Sequence, residues 1–240
     1  MTKTNYLLGT DPEMFLTLGG KAVSAHGLFP GTKHDPYPVD KGAVQVDGLA
    51  LEFNIDPAET EDEFVKNIAT VLTQIDEMIK EVDPDMQRVF TPFMEFDAKY
   101  FATIPDEAKI LGCDPDYSGR TGKRKSPPEI GDEPFRTAAG HIHIGWDRFL
   151  DVTDPAHNED CRFVSQTLLY RLPNITDYSL ANCRRLQYYG GHAAYRPKSY
   201  GVEIRFPSNA WLMTEESRRL ASRDVMKGMR EVEKMAAKAA

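Results

Sequence analysis

The chain has 240 residues, of which 41% are hydrophobic and 28% are charged, and its formal net charge is −8. This length and composition are typical of one large globular domain or two small ones. The negative net charge argues against a nucleic-acid-binding surface, which needs a clustered excess of basic residues. No apolar run reaches 18 residues, so the sequence predicts no membrane-spanning segment.

The cysteines and the N-terminus bear on the cellular compartment. Cys113, Cys161 and Cys183 lie far apart and form no CxxC pair, which argues against a disulfide framework and against a zinc–cysteine site. The apolar run that precedes Gly9 is too short for a signal peptide. We therefore expect a cytoplasmic protein.

Alternation of apolar and polar residues predicts the strands. These fall at residues 6–18, 21–24, 43–55, 89–96, 136–146 and 200–206. Within the run 43–55, Asp47 and Glu52 are five positions apart, so a regular strand would place them on opposite faces. A bulge or bend at Gly48 is expected to bring both carboxylates to one face.

Apolar residues that recur every three or four positions predict the helices. These fall at residues 60–82, 160–172 and 215–237. The first helix begins at a capping box formed by Thr60 and Glu63. The last is expected to be capped by Thr214 or Asn209.

Other segments lack a helical or strand period. Residues 26–42 and 186–194 predict loops because they are rich in Gly, Pro or both. Residues 105–135 predict a binding loop or lid, since ordered domains rarely keep so long a segment without structure. With no internal repeat and no evident linker, residues 1–240 predict a single α+β domain. Its sheet is expected to be largely antiparallel, with helices on one face and the site on the other.

Residues 136–146 (RTAAGHIHIGW) are the stretch around which the other strands are organised. Alternation places His141 and His143 on one strand face and Ile142 and Ile144 on the other. Two imidazoles on an open sheet face can bind a metal ion or a polyphosphate. The alternative is a half-exposed strand whose polar face simply carries histidine. Three other segments carry charged residues among apolar neighbours in the same way, which favours a site.

The polar positions of these strands form one candidate site. They are Asp11, Glu13, Asp47, Glu52, His141, His143, Glu203 and Arg205, with Arg136 and Arg196 nearby in sequence. Carboxylates with one imidazole suit Mg²⁺ or Mn²⁺ better than structural zinc, whereas arginines suit phosphate or carboxylate groups. Together they indicate phosphoryl chemistry on a nucleotide. The chain has neither a P-loop nor a Rossmann glycine motif.

Four motifs, in order, resemble the carboxylate–amine ligases of the glutamine synthetase/glutamate–cysteine ligase superfamily, and especially their phage-encoded amidoligase branch. The motifs are TDPEMFL at 10–16, QVDGLALEFN at 45–54, GHIH at 140–143, and YRP with GVEIRFPSN within 195–209. The resemblance implies a glutamine synthetase-like catalytic domain, whose curved antiparallel sheet holds two or three divalent ions. It also implies that ATP phosphorylates a carboxylate and that an amine then attacks the acyl phosphate.

The resemblance assigns roles by motif. The expected ligands of Mg²⁺ or Mn²⁺ are Asp11, Glu13, Asp47, Glu52, His141 and Glu203. The expected nucleotide contacts are His143, Arg136 and Arg205, and the expected catalytic residues are Arg205, Arg196 and Glu52. Glutamine synthetase differs in having two glutamates at the first acidic motif, a longer second motif and a separate N-terminal β-grasp domain. Its shared, dodecameric active site is therefore not expected here, and the oligomeric state stays open.

The expected partners are ATP and a carboxylate and an amine, each a small molecule or a peptide, with no nucleic acid and no membrane. The compartment would be the host cytoplasm if a phage encodes the protein. A cupin-like metal enzyme is one alternative, because His141, His143 and Asp147 imitate the cupin ligand spacing. Two helices of about twenty residues are hard to accommodate in that barrel. A non-catalytic nucleotide- or metal-binding relative is the other alternative.

Overall fold

The computed structural model describes residues 6–110, 116–126, 130, 133–147, 149–172, 177–191 and 193–239. The strands are β1 (Leu7–Thr10), β2 (Glu13–Leu18), β3 (Lys21–Val23), β4 (Tyr37–Val39), β5 (Gly42–Asp47), β6 (Ala50–Ile55), β7 (Met86–Val89), β8 (Phe93–Glu95), β9 (Asp116–Tyr117), β10 (Arg124–Lys125), β11 (Phe135–Thr137), β12 (Ile142–Gly145), β13 (Tyr195–Lys198) and β14 (Gly201–Ile204). The helices are α1 (Glu61–Val82), α2 (Ala98–Thr103), α3 (Asp106–Lys109), α4 (Pro155–Arg171), α5 (Leu180–Tyr188) and α6 (Glu215–Ala239), with a 3-10 helix at Asn209–Leu212.

The chain is a mixed α+β fold, and the ladders between its described strands are antiparallel. A first sheet has the order β1-β12-β14-β13-β9-β10, and a second has the order β3-β2-β6-β5-β4, with β7 also paired to β2. A small third sheet joins β8 to β11. Leu8 in β1 and Ala58 beyond β6 exchange backbone hydrogen bonds of 2.9 and 2.8 Å. The first two sheets are therefore neighbours at this point.

The strand predicted at residues 6–18 is two strands that belong to different sheets. β1 ends at Thr10 and β2 begins at Glu13, so Asp11 and Pro12 form the junction. Pro12 has no amide hydrogen to donate to a ladder, which suits a position where pairing changes from one sheet to the other. Beyond the junction, the Glu13 amide donates to the Ala139 carbonyl at 3.0 Å.

The long strand predicted at residues 43–55 is a hairpin. Gly48 and Leu49 form the turn between β5 and β6, and Gly48 has a φ of 58°, in the left-handed region that glycine tolerates. The register pairs Gln45 with Glu52 and Asp47 with Ala50. Asp47 therefore lies on the same face as Glu52, as predicted, because the chain reverses at Gly48 in a turn and not in a bulge.

The three long helices cover the faces of the sheets that carry aliphatic residues. α1 packs on β5, β6 and β7, α4 packs on β13 and β14, and α6 packs against both helices. The predicted N-cap of α1 is present, since Thr60 Oγ1 accepts from the Glu63 amide, and Thr214 Oγ1 caps α6 by accepting from the Ser217 amide. None of the described helices combines the length and the apolarity that a membrane span requires.

The prediction that all helices lie on one face is wrong for α2 and α3. Phe15 lies on the same face of β2 as Glu13. Its ring belongs to a buried apolar cluster that includes Phe96, Phe101 and Ala108. These partners place α2 and α3 on the polar side of the second sheet. An aromatic residue on that face requires an apolar cover, which explains why two short helices lie there.

Other differences concern segments predicted as loops or as single strands. β4 lies within the predicted loop 26–42, α5 overlaps the predicted loop 186–194, and the strand predicted at 89–96 is represented by β7 and β8. The predicted lid contributes α3, β9, β10 and the start of β11. Its residues 111–115, 127–129 and 131–132 lie outside the described residues.

Candidate functional site

A cavity of about 710 Å³ opens on the polar faces of the first and second sheets. Its ionisable lining residues are Asp11, Glu13, Lys33, Asp47, Glu52, His141, His143, Asp147, Arg196, Lys198, Tyr200 and Arg205. Of the ten predicted site residues, Glu203 and Arg136 are not part of this lining. The strands therefore bring eight predicted residues to one cavity.

Backbone pairing aligns the charged residues of the first sheet in a row. His143 on β12 lies opposite Glu203 on β14, and Glu203 lies opposite Arg196 on β13. Directly opposed residues point to the same side of a sheet, and so do residues two positions apart on one strand. His141 and Arg205 therefore share the face of this row, as the sequence predicted.

Glu203 is fully buried and forms the centre of a cationic cluster with Arg196, Lys198 and Arg205. Its Oε2 lies 3.2 Å from Lys198 Nζ and 3.3 Å from Arg196 Nη1, and Arg205 Nη1 contacts its Oε1. Burial by itself raises a carboxyl pKa, but the opposing charge of Arg205 contributes to lowering the pKa of Glu203 to about 2. Three cations and one carboxylate give these four side chains a net charge of +2.

An acidic cluster occupies the second sheet. Glu13 lies opposite Glu52 in the register of β2 and β6, and carboxylate oxygens of Glu13, Asp47 and Glu52 lie within 4.8 Å of one another. Burial, and after it the charge of Asp47, raises the pKa of Glu13 to about 8. Burial and the charges of Asp11 and Glu13 raise the pKa of Glu52 well above its usual value. Such a cluster is stabilised by protons or by a bound cation.

The two histidines differ in their hydrogen bonding. His141 Nδ1 lies 3.1 Å from Asp11 Oδ1, and its Nε2 lies 2.9 Å from the hydroxyl of Tyr189. His143 Nδ1 contacts the hydroxyl of Tyr200. His143 Nε2 is 2.8 Å from Asp11 Oδ1, but this contact lacks hydrogen-bond geometry, so Nε2 is buried without a hydrogen-bond partner. A tyrosine hydroxyl thus holds each imidazole ring.

These groups fit divalent ions. Asp11, His143 and Glu203 offer ligand atoms within 4.8 Å of one another, and the acidic cluster offers a second set that consists of oxygen atoms. Oxygen ligands with one imidazole suit Mg²⁺ or Mn²⁺. Asp147 lines the cavity but joins neither group, so the cupin-like set is not assembled within the part of the chain that the structure describes.

Arg136 differs from its predicted role as a nucleotide contact. It is 4% exposed, and its guanidinium donates to the carbonyl oxygens of Lys109, Glu133 and Phe135. It also lies 4.8 Å above the ring of Phe101. Its strand β11 pairs with β8 and not with the strands of the cavity. Arg136 therefore stabilises the segment around it and is not a cavity residue.

The predicted site residues did not include Lys33, Lys198, Tyr200 or Tyr189. Lys198 lies two positions after Arg196 on the same strand, so period two could have identified it. Tyr200 sits in the turn between β13 and β14, and Tyr189 sits in a segment predicted as a loop, where no period applies. No protein-family model matches the chain, and no curated protein matches it.

Proposed function

We propose that the chain is an ATP-dependent carboxylate–amine ligase with a glutamine synthetase-like catalytic fold, which forms an amide bond through an acyl phosphate. The observation that carries the proposal is the presence of an acidic cluster and a cationic cluster in one cavity. The first attracts a divalent cation and the second attracts an anion. A nucleotide triphosphate with Mg²⁺ or Mn²⁺ carries both kinds of charge.

The reaction consists of two transfers. A carboxylate oxygen attacks the γ-phosphorus of ATP, and ADP leaves. The amine nitrogen then attacks the carbonyl carbon, the bond from that carbon to the phosphate oxygen breaks, and phosphate leaves while the amine loses a proton. When bound, a divalent ion would neutralise charge on the phosphate oxygens.

The arginines of the cationic cluster suit the transferring phosphoryl group. Arg205 is 4% exposed, contacts Glu203 and lies 5.1 Å from the centre of the Tyr189 ring. These contacts hold its guanidinium in place before a ligand arrives, and preorganised charge lowers a barrier without reorganisation. Arg196 and Lys198 would bind further phosphate oxygens, the arginine through a planar fork and the lysine as a point charge.

Carboxylates and imidazoles would hold the cations. Glu13, Asp47 and Glu52 form one ligand group, and Asp11, His143 and Glu203 form another, with His141 next to Asp11. Glu52 belongs to the first group and lines the cavity. Its proposed catalytic role is therefore to hold a divalent ion next to the phosphate groups. The acidic cluster supports a site for at least one ion. An ion held by Asp11 and His143 would share Glu203 with the three cations that already contact its carboxylate.

The size of the cavity supports small substrates. A volume of about 710 Å³ lies within the range of small-molecule sites, roughly 300–1,000 Å³. It suits a nucleotide beside a small carboxylate or amine, or beside the end of a peptide. Lys33 and Pro36 bring the segment before β4 into the lining. We assign the choice of acceptor to this segment.

The test is ADP release with Mg²⁺ and ATP across panels of carboxylates and amines. The proposal expects ADP release that requires one member of each panel. With an ¹⁸O-labelled carboxylate, one labelled oxygen must appear in the released phosphate. Unlabelled phosphate would contradict the acyl phosphate, and ligand binding without any turnover across the panels would favour the non-catalytic alternative.

A further inference from the structure

Tyr189 touches two chemically different parts of the cavity wall. It follows α5, where its amide donates to the Arg185 carbonyl at 2.7 Å. Its hydroxyl lies 2.9 Å from His141 Nε2, and its ring centre lies 5.1 Å from the Arg205 guanidinium carbon. One side chain thus contacts an imidazole beside Asp11 and an arginine of the cationic cluster.

We propose that Tyr189 is a positioning residue that couples the cation-binding and anion-binding parts of the cavity. The hydroxyl orients His141, and the ring orients Arg205. This inference rests on the proposed ion sites and not on the identity of the acceptor or on turnover.

The hydroxyl keeps a partner on His141 whichever ring nitrogen carries the proton. A phenol oxygen can donate to Nε2 or accept from it. The hydroxyl can therefore hold Nε2 of His141 while Nδ1 lies beside Asp11. Partners of this kind fix the orientation and tautomer of an imidazole at a metal site.

The ring of Tyr189 restrains Arg205 from a different direction. Arg205 contacts Glu203 through Nη1, and the ring face limits how its guanidinium plane can turn. Arg185 also lies against the ring, with its guanidinium carbon 6.0 Å from the ring centre. Arg185 is fully buried and donates to Asn182 Oδ1 and to the Phe206 carbonyl.

Two substitutions separate the two contacts. Tyr189→Phe removes the hydroxyl and keeps the ring, whereas Tyr189→Leu removes both. The matched controls are Tyr188→Phe and Tyr188→Leu, because the adjacent Tyr188 packs on Phe135 at 4.9 Å between ring centres, in an apolar cluster that contributes no residue to the cavity lining. Circular dichroism establishes that each variant folds.

The probes are Mn²⁺, followed by electron paramagnetic resonance, and inorganic pyrophosphate without metal, followed by calorimetry. Tyr189→Phe is expected to weaken Mn²⁺ binding about 10-fold and to leave pyrophosphate binding within about 2-fold of wild type. Tyr189→Leu is expected to weaken pyrophosphate binding as well, by about 5-fold. Both Tyr188 variants are expected to bind each probe like the wild type.

A measurement without ligands separates failure of this inference from failure of the proposed function. In long-range ¹H–¹⁵N spectra, Tyr189→Phe should shift the Nε2 signal of His141 and leave that of His157 in place. An unmoved His141 signal, or unchanged Mn²⁺ affinity, overturns the role of the hydroxyl. Unchanged pyrophosphate affinity in Tyr189→Leu overturns the role of the ring, and equal losses in the Tyr188 controls overturn both. If the wild type binds neither probe, the ion sites and the coupling are refuted. The spectra then still test the hydrogen bond between Tyr189 and His141.

Discussion

Two glutamates, the partly buried Glu13 in the cavity wall and the fully buried Glu203 beside it, have pKa values shifted in opposite directions. Burial and the charge of Asp47 raise the pKa of Glu13 to about 8, whereas the cations around Glu203, Arg205 first, outweigh burial and lower its pKa to about 2. Burial raises the pKa of both glutamates, so the neighbouring charges decide the direction. Glu13 lies among acids and needs a cation from outside, while Glu203 receives three from its own chain.

The largest effect is expected from removing the charge at the centre of the cationic cluster. Glu203→Gln leaves three cations around a neutral side chain, and loss of one partner of a buried ion pair costs about 3–5 kcal/mol. Urea denaturation measures this change in the free energy of unfolding. Glu95→Gln is the control, because Glu95 is 66% exposed in its pair with Arg184 and should cost about 1 kcal/mol or less. Equal costs in the two variants would mean that the cluster does not depend on its carboxylate.

Arg205→Lys tests whether the cationic cluster acts on a phosphoryl group. Lysine keeps the charge and loses the planar fork, so kcat for ADP release should fall about 100-fold while KM for ATP changes less. Steady-state kinetics of ADP release measures both constants. Near-wild-type kcat would remove Arg205 from the phosphoryl site.

A bound divalent ion should stabilise the fold through the acidic cluster. A cation that binds the folded state stabilises it by about 2.7 kcal/mol at 100 times its Kd, so Mg²⁺ or Mn²⁺ should raise the wild-type Tm. Glu13→Gln with Glu52→Gln removes the repulsion, so this variant should melt higher than wild type in EDTA. It should gain little from added metal. Thermal melts in EDTA and in added metal measure the Tm of both proteins under each condition. An unchanged metal response in the variant would remove both residues from the metal site.

Metal-free stability should also depend on pH. The folded-state pKa of Glu13, about 8, lies above its usual value of 4.5, so the folded state binds the proton more tightly. This contribution to stability is complete below pH 4.5 and is lost as pH rises through 8. Melts in EDTA should therefore show a slope for wild type between pH 4.5 and 8, and a flatter slope for Glu13→Gln. Parallel slopes would mean that Glu13 does not hold the proton.

The sequence predicted which face of a strand each charged residue occupies more accurately than it predicted which strands pair with each other. Period two correctly placed His141 with His143 and Glu203 with Arg205, because alternation is a local property of an extended backbone. The sequence also placed Asp47 with Glu52, but it did not predict the hairpin, since a bulge and a two-residue turn are both compatible with Gly48 and only the strand register distinguishes them.

The positions of residues outside these strands were harder to predict. Arg136 lies close to His141 in sequence, but its strand pairs with β8, and sequence proximity does not determine sheet membership. Tyr189 reaches His141 from the end of α5, which runs into the predicted loop 186–194, and the two residues are 48 positions apart. Long-range pairing of this kind carries no local signal.

The cross-strand row limits how this chain can change in length. His143 lies opposite Glu203, and Glu203 lies opposite Arg196, so deletion of one residue within β14 would turn the carboxylate toward α4 and a branched aliphatic side chain toward the cavity. Insertions and deletions are therefore tolerable only in the connections, and the connection before β4 carries Lys33 and Pro36 into the lining. A library aimed at new acceptors should vary the length of that connection and keep every strand intact.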